Sequence, residues 1–534
     1  MIQSNQNPDG FYKKRKEETN MKKTLALVLS LVMILVLGVA AAESPFTAEN
    51  PGTLTVAVYD RSNMNSDYGT AIDNAWTRWI QEKVAEELHI NVEYVAVARS
   101  GAESTMTTML AGQNAPDIIF YYDTNRVSDF VAQGGLADLT EAVELYGENL
   151  KTNLASTLPY GQYDGVQYAI PAKRGDIGHL SSFIRKDWLD KIGYELKMVD
   201  GVGYISYNDL EMVMKKWKEQ GICEYPMAMT TENGTEAETM SPIYMAFLDE
   251  SAFTDEVRAT LPDVMWPGIK DGYAYLNKLY NEGLIQPDWA QFADETQFNN
   301  AISTGKAGFW AHAYWQGLKT PNEFMGILAQ NDSTAEVVAV CVTNDDSIPA
   351  KIDQYPEYGM FIVVPVYSKH VNEAVLYLDW MSIYENFEVI NYGFEGEHYV
   401  RRADGSHDTT QVAPDASERI SVPDLMLVYN QNPDSKCVES ELITPSVPEK
   451  WQELYKNAFK AARVNTYKPY LFSKQIVSES DYSASLAEKL GELRVKSITC
   501  TPEMFEATWD ELSAEYLDMG GQTVIDEKIS VFNE

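Results

Sequence analysis

The sequence predicts an α/β protein in which strands and amphipathic helices alternate. The run TLTVAVY at 53–59 is rich in β-forming residues, and residues 72–88 place apolar side chains at helical spacing. A second β-rich run at 90–97, a helical stretch at 105–111 and PDIIFYY at 116–122 continue the alternation. Because strands that alternate with amphipathic helices form parallel sheets, we expect a mostly parallel sheet covered by helices on both faces.

The middle of the chain is richer in helices, and strands then return. We predict helices at 186–192, 207–220, 271–282 and 295–304, strands at 306–312 and 358–366, and a helix at 370–384. A chain that leaves a sheet and comes back to it builds two discontinuous lobes, and the crossings between the lobes form a hinge. We expect a first lobe from 53–173 plus 302–366 and a second, more helical lobe from 174–301 plus 367–534.

Polar and aromatic residues stand directly after two of the predicted strands. Asp60 and Arg61 follow the first strand, and Tyr122 and Asp123 follow the third. In open α/β sheets ligands bind beyond the carboxyl ends of the strands. These four residues are therefore candidates for ligand binding, and ordinary loop residues are the alternative.

Residues 1–42 are predicted to contain a secretory leader. Lys22 and Lys23 precede an apolar run at 25–39, and three alanines at 40–42 provide a cleavage site. An uncleaved membrane anchor is the alternative. The protein is expected outside the cytoplasm, as a secreted, periplasmic or cell-surface chain.

The charge balance excludes one class of partner. Of 534 residues, 79 are Asp or Glu and 42 are Lys or Arg, which gives a net charge of −37. Such a surface repels nucleic acid. The four cysteines (Cys223, Cys341, Cys437, Cys500) lack the spacing of a metal site, so they are either disulfide-bonded or free thiols.

Signatures of catalysis and of cofactor binding are missing from the sequence. It contains no G-x-S-x-G, H-E-x-x-H or G-x-x-x-x-G-K-[ST], and its six histidines are not clustered. Pairs of acidic residues are frequent in any chain this acidic, so they do not indicate a glycosidase. We expect no enzyme activity, no metal and no cofactor.

Six segments in collinear order resemble extracellular solute-binding proteins of ABC importers, in particular the long carbohydrate-type subgroup called LplA-like lipoproteins. They are DGVQYAIPAKRG (164–175), FIRKDWLDKIG (183–193), NEGLIQPD (281–288), GKAGF (305–309), NYGFEGEHYV (391–400) and YLDMGGQTVIDE (516–527). The resemblance implies a two-lobe periplasmic-binding-protein-like fold of type II, with hinge strands and a ligand held in the cleft. It also implies delivery to membrane permease subunits and no catalysis. Many relatives carry a lipidated cysteine after the leader, whereas Ala40–Glu43 contains none.

The stretch GKAGFWAHAYW at 305–315 supplies the main candidates for ligand stacking. In relatives this segment lines the cleft, so the resemblance makes Trp310, Tyr314 and Trp315 stacking candidates. Aromatic rings cover the flat C–H faces of a sugar, while polar side chains satisfy its hydroxyls. Phe309, on the opposite strand face from Trp310, is expected in the core, and His312 as a packed and hydrogen-bonded residue.

Four further residues are candidates for the cleft. Arg174 follows the first crossing and can fork onto hydroxyls or a carboxylate, with a salt bridge to Asp176 or Asp187 as the alternative. Trp266 precedes a Pro-Gly turn and could form a wall in the second lobe or a surface loop. Tyr392 and Glu395 lie in a glycine-broken loop that relatives place near the cleft, or that serves only as a turn.

The function predicted from the sequence is capture of an oligosaccharide or related glycan by a monomeric binding protein. An anionic ligand would need local cations, for which Arg61, Arg126 and Arg174 are the candidates. The alternatives are a secreted carbohydrate-active enzyme, a glycan-capture protein without a transporter, and a peptide-binding importer component.

Overall fold

The strands and helices are those of the residues that the computed structural model describes, namely 44–62, 66–174, 178–231, 236–291, 295–403, 405, 407–408, 422–428, 447–472, 474 and 476–534. The strands are β1 (Gly52–Asp60), β2 (Ile90–Ala98), β3 (Ile119–Tyr121), β4 (Gln162–Tyr163), β5 (Val166–Gln167), β6 (Ala169–Lys173), β7 (Leu180–Arg185), β8 (Lys197–Val199), β9 (Val202–Ser206), β10 (Phe309–Ala313), β11 (Val337–Thr343), β12 (Ile352–Asp353), β13 (Tyr358–Val363), β14 (Val400–Arg401), β15 (His407–Asp408) and β16 (Thr466–Tyr467). The α-helices are Ala75–Leu88, Ala102–Ala111, Thr124–Ala132, Thr140–Tyr146, Glu148–Asn153, Lys186–Lys191, Tyr207–Glu219, Glu236–Tyr244, Asp255–Thr260, Ile269–Asn281, Thr296–Ser303, Phe324–Asn331, Val371–Met381, Tyr384–Tyr392, Gln452–Ala461, Val477–Thr499, Phe505–Tyr516 and Gln522–Phe532.

The first sheet is parallel except for one strand. β1 and β2 pair in parallel along their whole length, and a single parallel bridge joins β1 to the start of β3. β13 lies between β3 and β6 and is antiparallel to both. The carboxyl ends of β1, β2, β3 and β6 therefore lie along one edge of this sheet, as the alternation of strands and helices predicts.

The second sheet has the strand order β10-β7-β11-β9-β8. β7 is antiparallel to both β10 and β11, whereas β9 runs parallel to β11. The carboxyl ends of β9, β10 and β11 therefore share an edge with the start of β7.

Strand pairing corrects the predicted division of residues 302–366. β10 and β11 belong to the second sheet, and only β13 returns to the first. The reason is physical, because β10 and β13 are both continuous apolar runs, and such a run carries no information about the sheet in which it is buried.

The chain after residue 366 also divides differently from the prediction. The helices Val371–Met381 and Tyr384–Tyr392 pack in the core of the first sheet, where the hydroxyls of Tyr94 and Tyr377 are 3.2 Å apart. Described residues from 447 onward pack with the cores of the second lobe or in a small C-terminal cluster, apart from a partial contact of Leu471 with the first core. The exact lobe boundaries remain a prediction.

The described chain crosses between the sheets close to two short strands. β6 leads to β7 through Arg174 and His179, and β12 leads to β13 through residues 354–357. β12 pairs in parallel with β16, and Gly178 bridges Gln354 beside them. These contacts bring both crossings together.

No described helix is both long enough and apolar enough to cross a membrane. The predicted leader at 1–42 lies outside the described residues, as does Cys437. Cys223, Cys341 and Cys500 are free thiols, and burial raises the pKa of the first two to about 12.

All five residues of β10 are buried, contrary to the prediction that one face of this strand is open to ligand. Phe309 packs into one core of the second lobe and Trp310 into another. The Trp310 ring stacks on Phe183 at 5.6 Å between centroids. The second sheet thus has a separate core on each face, and Trp310 is a core residue.

Trp310→Ala is expected to lower the free energy of unfolding by about 3–5 kcal/mol, because it leaves a cavity beside Phe183. Urea unfolding followed by circular dichroism measures the loss. Trp315→Ala, which removes a half-buried ring from the same stretch, is the matched control and should cost much less. Equal losses in the two variants would contradict the assignment of Trp310 to the core.

Candidate functional site

Polar residues gather at the carboxyl edge of the first sheet. Arg61, Arg99 and Arg174 follow the ends of β1, β2 and β6, and Tyr122 follows β3. The charges of all three arginines act on the hydroxyl of Tyr122. The structure therefore brings together three of the predicted site residues, and adds Arg99, which the sequence analysis missed.

Asp60 and Arg61 already have partners within the protein. The Arg61 guanidinium forks onto the carboxylate of Asp424, with Nε–Oδ2 and Nη2–Oδ1 distances of 2.6 and 2.9 Å. Asp60 Oδ1 accepts a hydrogen bond of 2.7 Å from the Ser62 N–H. The ion pair between Arg61 and Asp424 holds the turn Val422–Leu425 against the end of β1, and it neutralises much of the Arg61 charge.

Asp123 starts a helix. Its carboxylate accepts hydrogen bonds from the N–H groups of Asn125 and Arg126 and so caps the helix Thr124–Ala132. Arg126 lies 4.0 Å from both Glu103 and Asp123. The local reason for an acidic residue at this position is thus helix capping.

Tyr59 and Tyr122 form an aromatic floor beside Arg99. The Arg99 guanidinium lies 4.6 Å from the centroid of the Tyr59 ring. Tyr59 is 3% exposed, and burial raises its pKa well above the usual value. Tyr122 is 42% exposed and offers its ring to solvent. Loss of hydration raises the pKa of Tyr122, while the charges of Arg99 and Arg174 act in the opposite direction.

A stack of three side chains joins the two crossings. The Arg174 guanidinium lies 4.2 Å from the centroid of the Tyr355 ring, and the His179 ring lies parallel to Tyr355 at 3.9 Å. The predicted alternative partner of Arg174, Asp187, is instead bound by Arg185 at 2.7 and 2.8 Å. The other alternative, Asp176, lies outside the described residues.

Histidines and carboxylates line the facing edge of the second sheet. His179 Nε2 lies 3.9 Å from Glu238 Oε1 and 4.0 Å from Asp353 Oδ2. His312 Nδ1 accepts from the Ala313 N–H at 2.7 Å, so Nε2 donates to Glu295 Oε1 at 3.0 Å. His312 is therefore packed and hydrogen-bonded.

The pKa values of these three acids are shifted in different directions. Burial raises the pKa of Asp353 to about 6 and also raises the pKa of Glu238. The hydrogen bond from His312 lowers the pKa of Glu295. The edge of the second sheet thus carries two carboxyl groups that are reluctant to ionise beside one that is held ionised.

Two of the three aromatic candidates in the stretch 305–315 are buried. Trp310 and Tyr314 are 1% and 4% exposed. The Tyr314 ring packs at right angles to Trp315, and its backbone N–H donates to the His179 carbonyl at 2.7 Å. Trp315 is half-buried beneath the Lys319 ammonium group. Of the three, only Trp315 offers part of its ring at the end of β10.

Trp266 is a core residue and neither a cleft wall nor a surface residue. It is 7% exposed, packs against Phe253 and Tyr467, and donates its indole N–H to the Leu261 carbonyl at 3.1 Å. The Pro-Gly turn directs the ring inward, which the sequence could not show.

Tyr392 ends the helix Tyr384–Tyr392, and Glu395 lies in the locally bonded loop that follows it. Tyr392 stacks on His407 at 3.8 Å between ring centroids. Arg401 forks onto Glu388 at 2.8 Å and lies 3.5 Å from Glu395. These contacts match the alternative of a structural turn.

A cavity of about 260 Å³ lies between the start of β13 and the segment that follows β16. Its lining combines aromatic rings with amide, hydroxyl and charged groups, and includes Asn125, Tyr160, Gln162, Tyr358, Phe472, Lys474 and Glu479. Tyr358 also lies close enough to Arg174 to feel its charge. The cavity therefore adjoins the carboxyl edge of the first sheet.

Residues 68–382 match the family model of the bacterial extracellular solute-binding proteins. This match covers more than half of the chain, so the chain belongs to that family. Its members are binding proteins rather than enzymes.

Two curated relatives match parts of the chain. An uncharacterized protein in the butB 5′ region of Niallia circulans is 32% identical over 125 residues, which are 23% of this chain and 47% of that protein. Lipoprotein LipO of Bacillus subtilis is 22% identical over 284 residues, which are 50% of this chain and 53% of LipO. The chain thus spans about half the length of the curated relatives it matches.

Solved structures show the fold over nearly the whole chain. The S. pneumoniae ABC-transporter substrate-binding protein FusA in complex with kestose is similar with a TM-score of 0.63 at 14% identity, covering 90% of this chain and 99% of FusA. An HMO-binding, ABC-transporter-associated solute-binding protein of Bifidobacterium longum infantis gives a TM-score of 0.62 at 12% identity, with the same coverage of 90% and 99%. The predicted two-lobe fold is confirmed.

Asp353→Asn is expected to stabilise the protein at pH 7. Because the pKa of Asp353 is raised on folding, the folded state binds more protons than the unfolded state between about pH 4 and 6, and wild-type stability falls as the pH rises through this range. We expect the variant to be more stable by about 1 kcal/mol at pH 7, a value reduced because the side chain is 39% exposed to water.

The difference between Asp353→Asn and wild type should vanish below about pH 3, where the carboxyl is protonated in both the folded and the unfolded state. Urea unfolding of both proteins at several pH values gives this difference directly. A difference that does not change with pH would contradict the raised pKa of Asp353.

Proposed function

We propose that this chain captures an oligosaccharide in the cleft between its two sheets and delivers it to the permease subunits of an ABC importer. One observation carries the proposal. Where the edges of the two sheets come together, this chain presents exposed and half-buried aromatic rings beside arginine, histidine and carboxyl groups. Structures of similar fold were solved with or named for sugars, which supports the same ligand class.

The chemistry of this edge suits a sugar. Tyr122 offers a ring face for a C–H surface of the sugar, which contributes on the order of 1–3 kcal/mol when covered. Arg174 and His179 cover the two faces of Tyr355, so Tyr355 serves to position these two side chains for the ligand. Arg99, His179 and Glu238 offer donors and acceptors for hydroxyl groups, whose burial without partners costs about 1–3 kcal/mol each. The neighbouring aromatic cavity provides further ring faces for a longer chain.

Closure of the lobes around the ligand is the proposed signal to the permease. The crossings at 174–179 and 354–357 are short, so a few backbone angles can change the angle between the lobes. In this proposal each lobe is built on one of the two sheets. The chain passes between the lobes at these two crossings and once more after residue 428.

We propose that the protein binds its ligand without chemical change and without a cofactor. Glu295 is held by His312, and Gln316 donates to its second oxygen at 3.0 Å. Glu238 and Asp353 both lie within 4.0 Å of His179 Nε2. We further propose that the chain acts as a monomer outside the cytoplasm after removal of residues 1–42.

A thermal-shift screen of the exported protein tests the ligand class. Neutral and acidic oligosaccharides and short peptides are each added at increasing concentration. A ligand at about 100 times its dissociation constant stabilises the folded state by about 2.7 kcal/mol. We expect a shift with one class of glycan and no change in the glycan after prolonged incubation.

Variants locate the binding site. Tyr355→Ala and Tyr122→Ala should abolish most of the shift, whereas Tyr204→Ala, a half-buried ring within β9, should leave it intact. If only peptides shift the melting temperature, the ligand is a peptide and not a glycan. Hydrolysis of the glycan would show that the protein is an enzyme. A shift that both cleft variants retain would show that the glycan binds at another site.

A further inference from the structure

Arginine is scarce in this acidic chain, and most of the described arginines are paired with carboxylates. Arg185, which is 1% exposed, binds both Asp187 and Asp332, and Arg494 binds Asp263 at 2.8 Å. With 79 acidic residues for 42 basic ones, a carboxylate partner is available almost everywhere. An arginine that lacks one therefore needs a reason.

Two arginines of the cleft form no ion pair within the part of the chain that the structure describes. Arg99 is exposed and lies over the Tyr59 ring, and Arg174 is half-buried and lies over the Tyr355 ring. Stacking on a ring orients a guanidinium group but leaves the N–H donors at its edge unused. Both groups are thus held in place by their rings, and neither forms an ion pair with a described carboxylate.

The charges of the Arg99 and Arg174 guanidinium groups act at the same point of the first-sheet edge. Both of their charges are felt at the hydroxyl of Tyr122, which lies between the ends of β2 and β6 on the sheet edge. Arg61 adds little to this field, because Asp424 neutralises it. The positive charge at the first-sheet edge that forms no ion pair with a described carboxylate therefore comes from Arg99 and Arg174. Glu103, which accepts a hydrogen bond of 2.8 Å from the Tyr122 N–H and lies 4.0 Å from Arg126, is the carboxylate at the same edge.

The facing edge of the second sheet has the opposite character. It carries Glu238, Asp353 and Glu295 beside His179 and His312. An anionic group would be repelled there and attracted at the first-sheet edge. The difference between the two edges fixes the orientation of a charged ligand across the cleft.

We infer that the ligand is a carboxylate-bearing oligosaccharide, of the uronic-acid kind, whose carboxylate binds Arg99 and Arg174 beside Tyr122 while its hydroxyl groups face Glu238 and His179. Guanidinium groups match carboxylates in geometry and charge. The protein's net charge of −37 repels anions in general, so tight binding of one requires a local site of this kind. This inference rests on the proposed glycan-binding function.

Titration calorimetry with matched sugar pairs tests the inference. Oligogalacturonates and oligomannuronates of three to five residues are compared with the same chains after reduction of their carboxyl groups to alcohols, beside a panel of neutral oligosaccharides. We expect at least one acidic chain to bind at least about tenfold more tightly than its reduced form and than the neutral panel.

Arginine variants assign the effect to the site. Arg99→Gln should weaken binding of the acidic chain about tenfold while changing binding of the reduced chain less than about twofold. Arg174→Lys, which keeps the charge but loses the fork, should have a smaller effect than Arg174→Gln. Lys83→Gln, which removes one positive charge from the helix Ala75–Leu88, is the control and should change neither.

The outcomes separate the two proposals. Binding of neutral oligosaccharides without binding of any acidic chain overturns the carboxylate inference and leaves glycan binding in place. Acidic binding that Arg99→Gln and Arg174→Gln leave unchanged also overturns it. If no sugar of either kind binds, the proposed function fails and the inference fails with it.

Discussion

The cleft depends on the stack of Arg174, Tyr355 and His179. Arg174 follows the last strand of the first sheet, His179 precedes the second sheet, and Tyr355 lies on the returning crossing. Packing these three planes together puts both crossings, and hence the edges of both sheets, in one place. Each contact is worth only about 0.5–1.5 kcal/mol. Such contacts fix the geometry without preventing a rearrangement when the lobes move.

The distribution of charge around this stack is uneven. On one side a carboxyl group with a pKa of about 6 shares a histidine with a second acid whose pKa is also raised. On the other side two guanidinium groups lie on tyrosine rings. Neither of these two groups forms an ion pair with a described carboxylate, whereas most of the other described arginines do.

Much of the fold is visible in the sequence, because strong apolar periodicity marks elements wherever one face is buried. The predicted helices at 207–220 and 271–282 agree with Tyr207–Glu219 and Ile269–Asn281 within two residues. The partner of a buried strand is not visible, so β10 was placed in the wrong lobe. The same limit misassigned Trp310 and Trp266, since an aromatic ring near a cleft and one in a core have the same local sequence.

The strand-end rule brings Arg61, Tyr122 and Arg174 to one place because the strands that they follow are parallel and their ends share one edge. Arg99 obeys the same rule after β2 and could have been found by it. The second sheet is mixed, so its edge combines the ends of β9, β10 and β11 with the start of β7. His179 therefore lies at this edge although it precedes a strand. Tyr355 and Glu238 belong to no sheet strand, and only the packed structure brings them there. In a mixed sheet the strand order must be known before a residue's position along the chain says anything about function.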